Sequence, residues 1–600
     1  MSGVTLPSPN ARAVLQIGFG VGAVFLDAWQ QARAAPSPLG LDFVAVASPW
    51  PTAEMLRAAH RGTSRQALAD ALADRWPPPT RNLHRVAFDQ GRIRLLLAPG
   101  PAHVWLRELR GTFGHLRLDA PDWSHDPQAG ARQLAKALAR LAAAGAHLQV
   151  AEGLETLAQP LRSAGFRLDE PGPCGLRGVF VPRFVPRGPR QPASVDGAAT
   201  DSSTDERHVL IVGAGLAGCA TACALAERGW RSTLFDRHEA PAREGSGNPA
   251  GLFHGTVNAQ DGAHARFNRA AALQAYDAVQ QAIASGLARG HAGGLLRLET
   301  SGKTLEAMHA ELTSLQLPPA YVQALSAEAA SARCGLRLQH PAWFYPGGGW
   351  VDPAGLARSF LHRAGAMARF QGATEVQRLQ HEHGRWQLLD AMGRCLADAP
   401  QLVLANAQDA LRLLRATDWP LQAVRGQISL LDQRAIASAQ RLRLPSLPVA
   451  GAGYLLPDLE GQALFGASAH AGDTDPLVRA ADHAFNRDRL RTLCGQMLDD
   501  RMPLRGRVAW RCVADDRLPL VGRAPDGNGV PGRRVERLID LPRQPGLHVF
   551  TGLSSRGISW AALGGQLLAA QIDGAPLPLE ATLVDALDPA RFVLRRLRQH

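Results

Sequence analysis

The segment HVLIVGAGLAG contains three glycines, Gly213, Gly215 and Gly218. In this segment an apolar run is followed directly by a helix-like run. With this spacing the first glycine permits a tight turn, the second lets the backbone approach a pyrophosphate, and the third lets helix and strand pack closely. The phosphates would then lie at the positive end of the helix. Asp236 follows roughly 20 residues on, where a carboxylate can accept hydrogen bonds from ribose hydroxyls. The pattern predicts a dinucleotide site.

The elements that must position these residues can be read from the same region. Residues 209–212 form a continuous apolar run typical of a buried strand, and residues 219–228 have a helical composition. Residues 232–235 read as a second strand that ends on Asp236. This order of strand, glycine turn, helix and strand is the context that the glycine spacing requires.

A second set of glycines occurs near the start of the chain, in AVLQIGFGVGAVFL at residues 13–26. Gly18, Gly20 and Gly22 form the G-x-G-x-G turn typical of class I methyltransferases, whose loop lies against S-adenosylmethionine. The next predicted strand, residues 41–47, ends in Ala47, where such folds usually carry an acidic residue. Further strands at 93–97 and 116–118, the latter leading into Asp119, predict a doubly wound sheet.

The length of 600 residues exceeds what one hydrophobic core usually supports, so several domains are expected. Residues 182–207 are rich in Pro, Ser, Asp and Gly and have almost no apolar periodicity, which predicts a linker. We therefore predict an N-terminal domain at 1–181 and a C-terminal domain at 208–600. The sequence leaves the oligomeric state open.

Composition favours a soluble, cytoplasmic protein. Hydrophobic residues make up 46% and charged residues 20% of the chain, without an apolar run long enough for a membrane span or a recognisable signal peptide. The seven cysteines are scattered without C-x-x-C spacing, which predicts reduced thiols and no metal site. The net charge of +12 fits a nucleic-acid partner, but a genome-wide bias toward arginine explains it equally well, since Lys136 and Lys303 are the only lysines. We expect the arginine-rich C-terminal run to be a solvated helix face.

Both halves together resemble the bifunctional family that synthesises 5-methylaminomethyl-2-thiouridine at the tRNA wobble position. The resemblance covers nearly the whole chain. The segments that carry it are IGFGVGAVFL at 17–26, the HVLIVGAGLAG fingerprint, GSGNPAGLFHG at 245–255, YPGGGWVDP at 345–353, RGQIS at 425–429, RCVADDRLPLVGRAPD at 511–526 and GLSSRGISWAALGGQLLAAQI at 552–572.

The resemblance implies an α/β protein with two parts. A Rossmann-like methyltransferase domain would precede an FAD-binding domain of the glycine-oxidase and D-amino-acid-oxidase type, with an inserted α+β substrate subdomain. Strand-like runs at 384–389 and 426–431 suit that insert. The oxidase would remove the carboxymethyl group from 5-carboxymethylaminomethyl-(2-thio)uridine in tRNA, and the N-terminal domain would methylate the resulting amine from S-adenosylmethionine.

The resemblance also implies roles for individual residues. Arg511 or Arg556 would clamp the substrate carboxylate, because a guanidinium group binds a carboxylate with two parallel hydrogen bonds. Asp119 aligns with the catalytic carboxylate of the methyltransferase. The remaining positions implied to contact FAD are Gly552 and Gly557, beside its phosphate and ribityl region, and Ser246, Gly247 and Asn248, near its isoalloxazine end.

The methyltransferase half departs from the family pattern at Gln16, Ala47 and Pro101, where the family carries acidic residues. Our hypothesis is that the oxidase half is active while methyl transfer is weak or absent, with tRNA docking as the remaining role of the N-terminal half. Two alternatives stay open: a small-molecule glycine or D-amino-acid oxidase with a vestigial N-terminal domain, and a tRNA-binding scaffold with a vestigial flavin fold.

Overall fold

The computed structural model describes residues 13–35, 40–119, 127–170, 175–182, 207–416, 419–437, 440–527 and 535–599. Nearly all of the predicted linker, Cys174 and the segment after Asp119 lie outside the described residues. The chain divides into two compact units. The first comprises Met1–Ser203, Glu227–Gly229 and Leu567–Asp585, and the second comprises Thr204–Ala226, Trp230–Gln566 and Ala586–His600. The domain boundaries at 181 and 208 stay a prediction.

The N-terminal part alternates strands and helices. Its elements are β1 (Ala13–Ile17), α1 (Ala23–Ala34), β2 (Leu41–Ala47), α2 (Ala53–His60), α3 (Gln66–Asp74), β3 (His84–Phe88), β4 (Ile93–Pro99), α4 (Ala102–Glu108), β5 (Phe113–Leu118), α5 (Pro127–Leu141), β6 (Ala142–Val150), α6 (Ala158–Ser163), β7 (Phe166–Leu168) and β8 (Leu176–Phe180).

These strands form a sheet in the order β3-β4-β2-β1-β5-β6-β8-β7. The central pairs from β4 to β6 are parallel, and the outer pairs β3–β4, β6–β8 and β7–β8 are antiparallel. All seven residues of β2 are buried, as expected of a strand covered on both faces. The predicted doubly wound sheet is confirmed, and it brings the glycine turn after β1, Ala47 at the end of β2 and Asp119 after β5 to one edge.

From residue 207 the elements up to the mixed sheet are β9 (His208–Val212), α7 (Leu216–Ala226), β10 (Arg231–Phe235), β11 (Gly251–Phe253), α8 (Ala263–Ala284), β12 (Gly290–His291), β13 (Leu295–Leu298), α9 (Leu305–Ser314), β14 (Gln323–Leu325), α10 (Ala327–Cys334), β15 (Ala342–Tyr345), β16 (Gly349–Val351), α11 (Pro353–Ala364), β17 (Ala368–Gln371), β18 (Arg378–Glu382), β19 (Arg385–Leu389), β20 (Cys395–Ala399), β21 (Gln401–Leu404) and α12 (Ala410–Leu414).

The remaining elements are β22 (Leu421–Asp432), β23 (Val449–Ala450), β24 (Tyr454–Leu455), β25 (Gln462–Gly466), β26 (His470–Ala471), α13 (Ala480–Cys494), β27 (Arg505–Ala514), β28 (Leu520–Pro525), β29 (Arg543–Thr551), α14 (Gly557–Asp573), α15 (Ala581–Leu587) and α16 (Arg591–Gln599).

A sheet in the order β17-β10-β9-β21-β29-β28 carries the glycine fingerprint. Its first five strands are parallel, and β28 closes the edge as an antiparallel strand. Helix α7 is buried on almost every side, which explains why its sequence is apolar all round. The helix predicted at 219–228 begins three residues earlier in the structure, at Leu216, directly after the glycine turn.

A mixed sheet in the order β14-β15-β13-β23-β24-β25-β22-β26, with β27 beside β22, forms the inserted subdomain. The run predicted at 426–431 lies within the long strand β22, which pairs antiparallel with β27 from Leu421–Ala514 to Leu430–Arg505. The run predicted at 384–389 lies elsewhere, in the small antiparallel sheet β18-β19-β20. The α+β insert is confirmed, with the larger part of its sheet contributed by strands that sequence patterns did not identify.

Several expectations from composition can be compared with the described residues. None of the helices described is long and apolar enough to cross a membrane, and the described cysteines form no disulfide bond with one another. The C-terminal run is only partly a solvated face, because Arg591 is 4% exposed and pairs with Asp516 at 2.8 Å. Part of the positive charge in this run is therefore structural.

Candidate active site

The glycine turn after β9 is shaped by steric contacts that differ at each position. Gly213 has φ +101°, and a Cβ there would lie 2.7 Å from the Ala405 carbonyl carbon. A Cβ on Gly218 would lie 1.9 Å from the Gly213 carbonyl oxygen, so α7 packs directly on the turn. By contrast, a Cβ on Gly215 would meet only Ser246 Oγ, at 3.2 Å. Gly215 therefore opens toward space that a ligand can occupy.

Asp236 lies at the end of β10, beside the turn, as the sequence predicted. Its carboxylate accepts hydrogen bonds from the backbone N–H groups of Ala214 (2.8 Å) and His238 (2.9 Å). These bonds fix the carboxylate at the carboxyl ends of neighbouring parallel strands, where nucleotides bind in such sheets.

A cavity of about 710 Å³ extends from this turn into the mixed sheet. Of the predicted cofactor residues it is lined by Gly213, Gly215, Asp236, Ser246, Asn248, Gly552 and Gly557. Gly218 and Gly247 do not line it. Gly218 has the packing role described above, and a Cβ on Gly247 would lie 2.6 Å from Arg507 Nη2.

The loop 243–248 is held in place by Arg507 of β27, a residue that sequence reasoning missed. Arg507 donates to Asn248 Oδ1 (2.6 Å) and to the backbone carbonyl oxygen of Glu244 (2.7 Å). Ser246 Oγ accepts from the N–H of Leu216, at the start of α7 (3.2 Å). Ser246 therefore lies at the phosphate end of the cavity, and its predicted place near the isoalloxazine end is not supported by this contact.

Three polar atoms on the cavity wall are buried without a hydrogen-bond partner among the described residues: Asn406 Oδ1, Gln408 Oε1 and Ser554 Oγ. Buried polar atoms are normally paired, so a polar ligand that supplies partners is expected here. The open approach at Gly215, the helix N-terminus and these three atoms together fit the pyrophosphate, ribityl and ring portions of FAD.

The acidic residues on the cavity wall are concentrated at the nucleotide end. Thr374 N donates to the backbone carbonyl oxygen of Asp236 at 2.8 Å, which places its neighbour Glu375 there. Glu244 is paired with His238 (2.7 Å) and Arg237 (3.0 Å). The fourth lining carboxylate, Asp409, follows β21 and is paired with Arg412 at 2.8 Å. No other carboxylate among the described residues lines the cavity.

The opposite end of the cavity is basic. It contains Arg511 on β27, Arg556 after β29 and Arg297 on β13. Arg511 donates to the Ser468 carbonyl oxygen at 3.2 Å, and Arg556 makes a 3.4 Å contact with Asn268 Oδ1. Burial lowers the pKa of both guanidinium groups, Arg511 and Arg556, below the ordinary value. They stay charged at neutral pH because a guanidinium group is not deprotonated in proteins. The structure thus brings both predicted arginines to one cavity and adds Arg297.

His254 lies on the same wall and is neutral. Burial, and then the charges of Arg556 and Arg297, lower its pKa to about 3. The Gly255 carbonyl oxygen is 2.5 Å from Nδ1, so Nδ1 carries the proton and Nε2 keeps its lone pair. His254 therefore offers a hydrogen-bond acceptor in a region that otherwise offers positive charge.

A second neutral histidine, His548 of β29, leads to a prediction on stability. Burial, with Arg523 nearby, lowers the pKa of His548 from 6.5 to about 3, and its Nδ1 has no hydrogen-bond partner among the described residues. The folded state binds fewer protons than the unfolded state, so stability present above pH 6.5 is lost as the pH falls toward 3. We expect the buried, neutral state of His548 to lower the free energy of unfolding by about 2 kcal/mol as the pH falls from 6.5 to 5.

Denaturant titrations of the holoprotein at several pH values test this expectation. His548→Gln retains an amide donor toward Gln401, which the ring contacts at 3.0 Å, and should flatten the pH dependence. The exposed His340 provides the control, since His340→Gln should leave the slope as in the wild type. Equal slopes in all three proteins would show that burial of His548 has no such effect.

The glycine turn predicted at the N-terminal sheet is present. Gly18, Gly20 and Gly22 all have positive φ, and the N–H of Gly18 donates to the Val46 carbonyl oxygen at 3.1 Å. A Cβ on Gly20 would meet nothing within 4 Å, so the turn is open there. The backbone of a nucleoside-binding loop is thus retained.

Among the described residues around this turn, Ala47 and Pro101 offer no polar side chain toward S-adenosylmethionine, and neighbouring side chains contact Asp119. Ala47 is fully buried and presents only a methyl group where a ribose needs an acceptor. Pro101 caps α4 without a side-chain hydrogen bond. Asp119 accepts from Gln16 Nε2 (2.7 Å) and from Arg117 Nε (2.8 Å), so its carboxylate is already engaged. Arg117, two residues before Asp119, makes a contact that sequence reasoning missed.

The larger unit is similar to known flavoproteins in both sequence and fold. Residues 208–571 match the family described as FAD dependent oxidoreductase. Glycine oxidase from Geobacillus kaustophilus has a TM-score of 0.50 at 22% identity, over 64% of this chain and 98% of that chain. L-proline dehydrogenase from P. horikoshii has a TM-score of 0.51 at 15% identity, over 64% and 97%. These two structures show the fold alone. Fold, site and family together define an FAD-dependent oxidoreductase.

Relatives over the full length make the assignment more specific. The "tRNA 5-methylaminomethyl-2-thiouridine biosynthesis bifunctional protein MnmC" of Methylibium petroleiphilum is 42% identical over 98% of this chain and 90% of its own length. Proteins of the same name from Burkholderia multivorans and Cupriavidus necator are 39% and 38% identical over the same shares. This chain belongs to the family of tRNA 5-methylaminomethyl-2-thiouridine biosynthesis bifunctional proteins, which confirms the resemblance drawn from its motifs.

Proposed function

We propose that this protein acts in the cytoplasm on the wobble uridine of tRNA. Its FAD-dependent unit removes the carboxymethyl group from 5-carboxymethylaminomethyl-(2-thio)uridine and leaves the aminomethyl form. In the family reaction, methylation of that amine to the methylaminomethyl form follows, and it would fall to the N-terminal unit. The observation that carries the proposal is one cavity with a nucleotide-binding turn at one end and Arg511 and Arg556 at the other.

Bound FAD would supply the acceptor for one hydride, which carries two electrons, from the carbon between the amine and the carboxylate. Loss of that hydride and of the amine proton converts the C–N single bond into an imine. Water adds to the imine carbon and the C–N bond breaks, which releases the aminomethyl base and glyoxylate. The residues of the chain therefore have to orient the substrate and keep its amine neutral before oxidation.

Arg511 and Arg556 suit the first task, since a carboxylate held by a guanidinium group has a defined orientation. The basic end suits the second, because nearby positive charges disfavour an ammonium ion and so lower the pKa of the substrate amine. His254 Nε2 has a lone pair that can accept a hydrogen bond from the amine N–H. Because the pKa of His254 is low, the ring stays neutral and this hydrogen bond can form throughout the neutral pH range.

The experiment that tests the proposal uses the purified holoprotein and tRNA that carries the carboxymethylaminomethyl group, with and without S-adenosylmethionine. Mass spectrometry of the wobble nucleoside should show the aminomethyl form. Glycine and sarcosine are assayed in parallel by flavin reduction. An unchanged wobble nucleoside together with rapid turnover of these amines would favour a small-molecule oxidase instead.

We expect methyl transfer to be weak in this chain, because the residues around Gly18 do not fit S-adenosylmethionine. Hydrogen bonds lost at Gln16, Ala47 and Pro101 each cost about 1 to 3 kcal/mol, which together weaken binding by orders of magnitude. Calorimetric titration of the full chain with S-adenosylmethionine should therefore give no saturation at micromolar ligand. The variant Ala47→Asp should bind more tightly than the wild type, whereas micromolar affinity of the unmodified chain would show that the site is intact.

A further inference from the structure

One fully buried amide connects two residues of the cavity wall that the proposed oxidation uses. Asn268 of α8 is 0% exposed and does not itself line the cavity. Its Oδ1 accepts hydrogen bonds from Trp560 Nε1 (2.9 Å) and from Arg556 Nη1 (3.4 Å). Its Nδ2 donates to the backbone carbonyl oxygen of His254 (3.3 Å) and to Thr256 Oγ1 (2.6 Å). Arg556 and His254 both line the cavity, so a single buried side chain contacts both of them.

The orientation of the Asn268 amide is fixed by the chemistry of its neighbours. Indole and guanidinium groups only donate hydrogen bonds, so the amide oxygen has to face Trp560 and Arg556. A backbone carbonyl oxygen only accepts, so the amide nitrogen has to face His254. An amide rotated by half a turn would leave these groups without matching partners in a buried environment, which is costly. Asn268 is therefore held in one orientation.

Arg556 has few other constraints on its direction. Its guanidinium group makes no further hydrogen bond and has no carboxylate partner among the described residues. Trp560 lies one helical turn further on, where its N–H donates to the Arg556 carbonyl oxygen at 2.9 Å, so both side chains reach Asn268 from one side of α14. An arginine that is held before the substrate arrives loses less conformational freedom when it binds the substrate.

The neutral charge of Asn268 matters as much as its position. A charged group with little exposure is normally paired with an opposite charge, but a carboxylate beside Arg556 would compete with the carboxylate of the substrate. Asn268 offers a hydrogen-bond acceptor without that charge. The nearby His254 and His264 are also neutral, because burial and then the charge of Arg556 lower their pKa values to about 3 and about 4. Arg556 therefore keeps its positive charge toward the cavity.

We propose that Asn268 is a positioning residue for the oxidation. It holds the Arg556 guanidinium group for the substrate carboxylate and the His254 backbone beside it, and it leaves the charge of Arg556 unneutralised. The inference rests on the proposed function and adds how its carboxylate contact is built. Because Asn268 does not line the cavity, it acts on the substrate through Arg556.

The test measures the affinity of the holoprotein for N-acetylglycine, which has the substrate's carboxylate and an amide N–H in place of its amine. The probe is titrated against flavin absorbance in the wild type, Asn268→Leu and Asn268→Asp. We expect Kd to rise about tenfold for Asn268→Leu, as for one lost hydrogen bond to a charged group. Asn268→Asp, which keeps an acceptor for Trp560, should raise Kd at least as much, because the new carboxylate pairs with Arg556.

A second probe and a double-mutant cycle separate positioning from a structural role. N-acetylglycinamide has no carboxylate, and its affinity should be the same in all three proteins, whereas a distorted cavity would weaken both probes alike. Asn268→Leu should raise Kd for N-acetylglycine no further in an Arg556→Gln background but keep its full effect in an Arg511→Gln background. Equal effects in the two backgrounds would overturn the proposal.

Asn82→Leu is the matched control for the loss of a buried amide. Asn82 is 1% exposed, accepts from Thr80 Oγ1 (2.7 Å) and donates to the Leu83 carbonyl oxygen (2.9 Å). It belongs to the other compact unit and does not line the cavity. This variant should bind N-acetylglycine as the wild type does.

Three further results would overturn the role of Asn268: unchanged affinity in both Asn268 variants, loss of FAD from both, or a wild type that does not bind N-acetylglycine. If the wild type binds the probe but oxidises no wobble nucleoside, the proposed function fails, and the titrations still decide whether Asn268 positions Arg556. If the nucleoside is oxidised equally well by the wild type and both variants, the proposed function stands and the positioning role fails.

Discussion

Replacing Arg511 by Gln should reduce kcat/KM for modified tRNA by about 100-fold to 1,000-fold while leaving FAD bound, as expected for loss of a preorganised charged contact to the reacting group. Arg511 is half-buried in the cavity wall, and its only hydrogen bond to the described residues is to a backbone carbonyl oxygen. A side chain in this state has no structural counter-ion to lose. The effect should therefore fall on substrate orientation rather than on stability, and it is measured by single-turnover flavin reduction and by thermal unfolding.

Arg505 is the control for this variant, since it lies on the same strand β27 but is exposed and away from the cavity lining. Arg505→Gln should retain wild-type turnover. Full activity of Arg511→Gln, with a large loss in Arg556→Gln instead, would assign the carboxylate to Arg556. Full activity of both would remove the guanidinium clamp from the mechanism.

Replacing Gly215 by Val should lower FAD affinity by about 100-fold or more and yield a colourless protein that is still folded, because the second fingerprint glycine is where backbone and pyrophosphate meet. The protein itself leaves room, since a Cβ at this position meets only Ser246 Oγ at 3.2 Å. Added methyl groups would occupy the space of the ligand and not that of the fold. Flavin content by absorbance and unfolding of the apoprotein separate the two effects.

Gly262→Val provides the comparison, because a Cβ there meets nothing within 4 Å and the residue does not line the cavity. It should bind FAD normally. Gly218→Val should differ from both, since its Cβ would lie 1.9 Å from the Gly213 carbonyl oxygen and should destabilise the fold itself. Normal flavin content in Gly215→Val would mean that the pyrophosphate does not approach this glycine.

Local sequence patterns identified the elements around the glycine fingerprint but few strands of the inserted subdomain. Local patterns located β9, β10 and the glycine turn to within a few residues, because a strand that enters a turn has an apolar run and fixed glycine spacing. The strands of the inserted subdomain were mostly missed. β13, β23 and β24 are two to four residues long, and runs this short have no periodicity to detect.

What the sequence determined by itself was the family, the dinucleotide site and the loss of acidic residues at Gln16, Ala47 and Pro101, since each is a property of contiguous residues. Only the tertiary structure decided which charges meet. It brought Arg297, Arg511 and Arg556 to the wall of one cavity, joined Arg507 to a loop about 260 residues before it, and paired Arg117 with Asp119. The direction of a side chain depends on strand register and on neighbours distant in sequence, and a linear pattern contains neither.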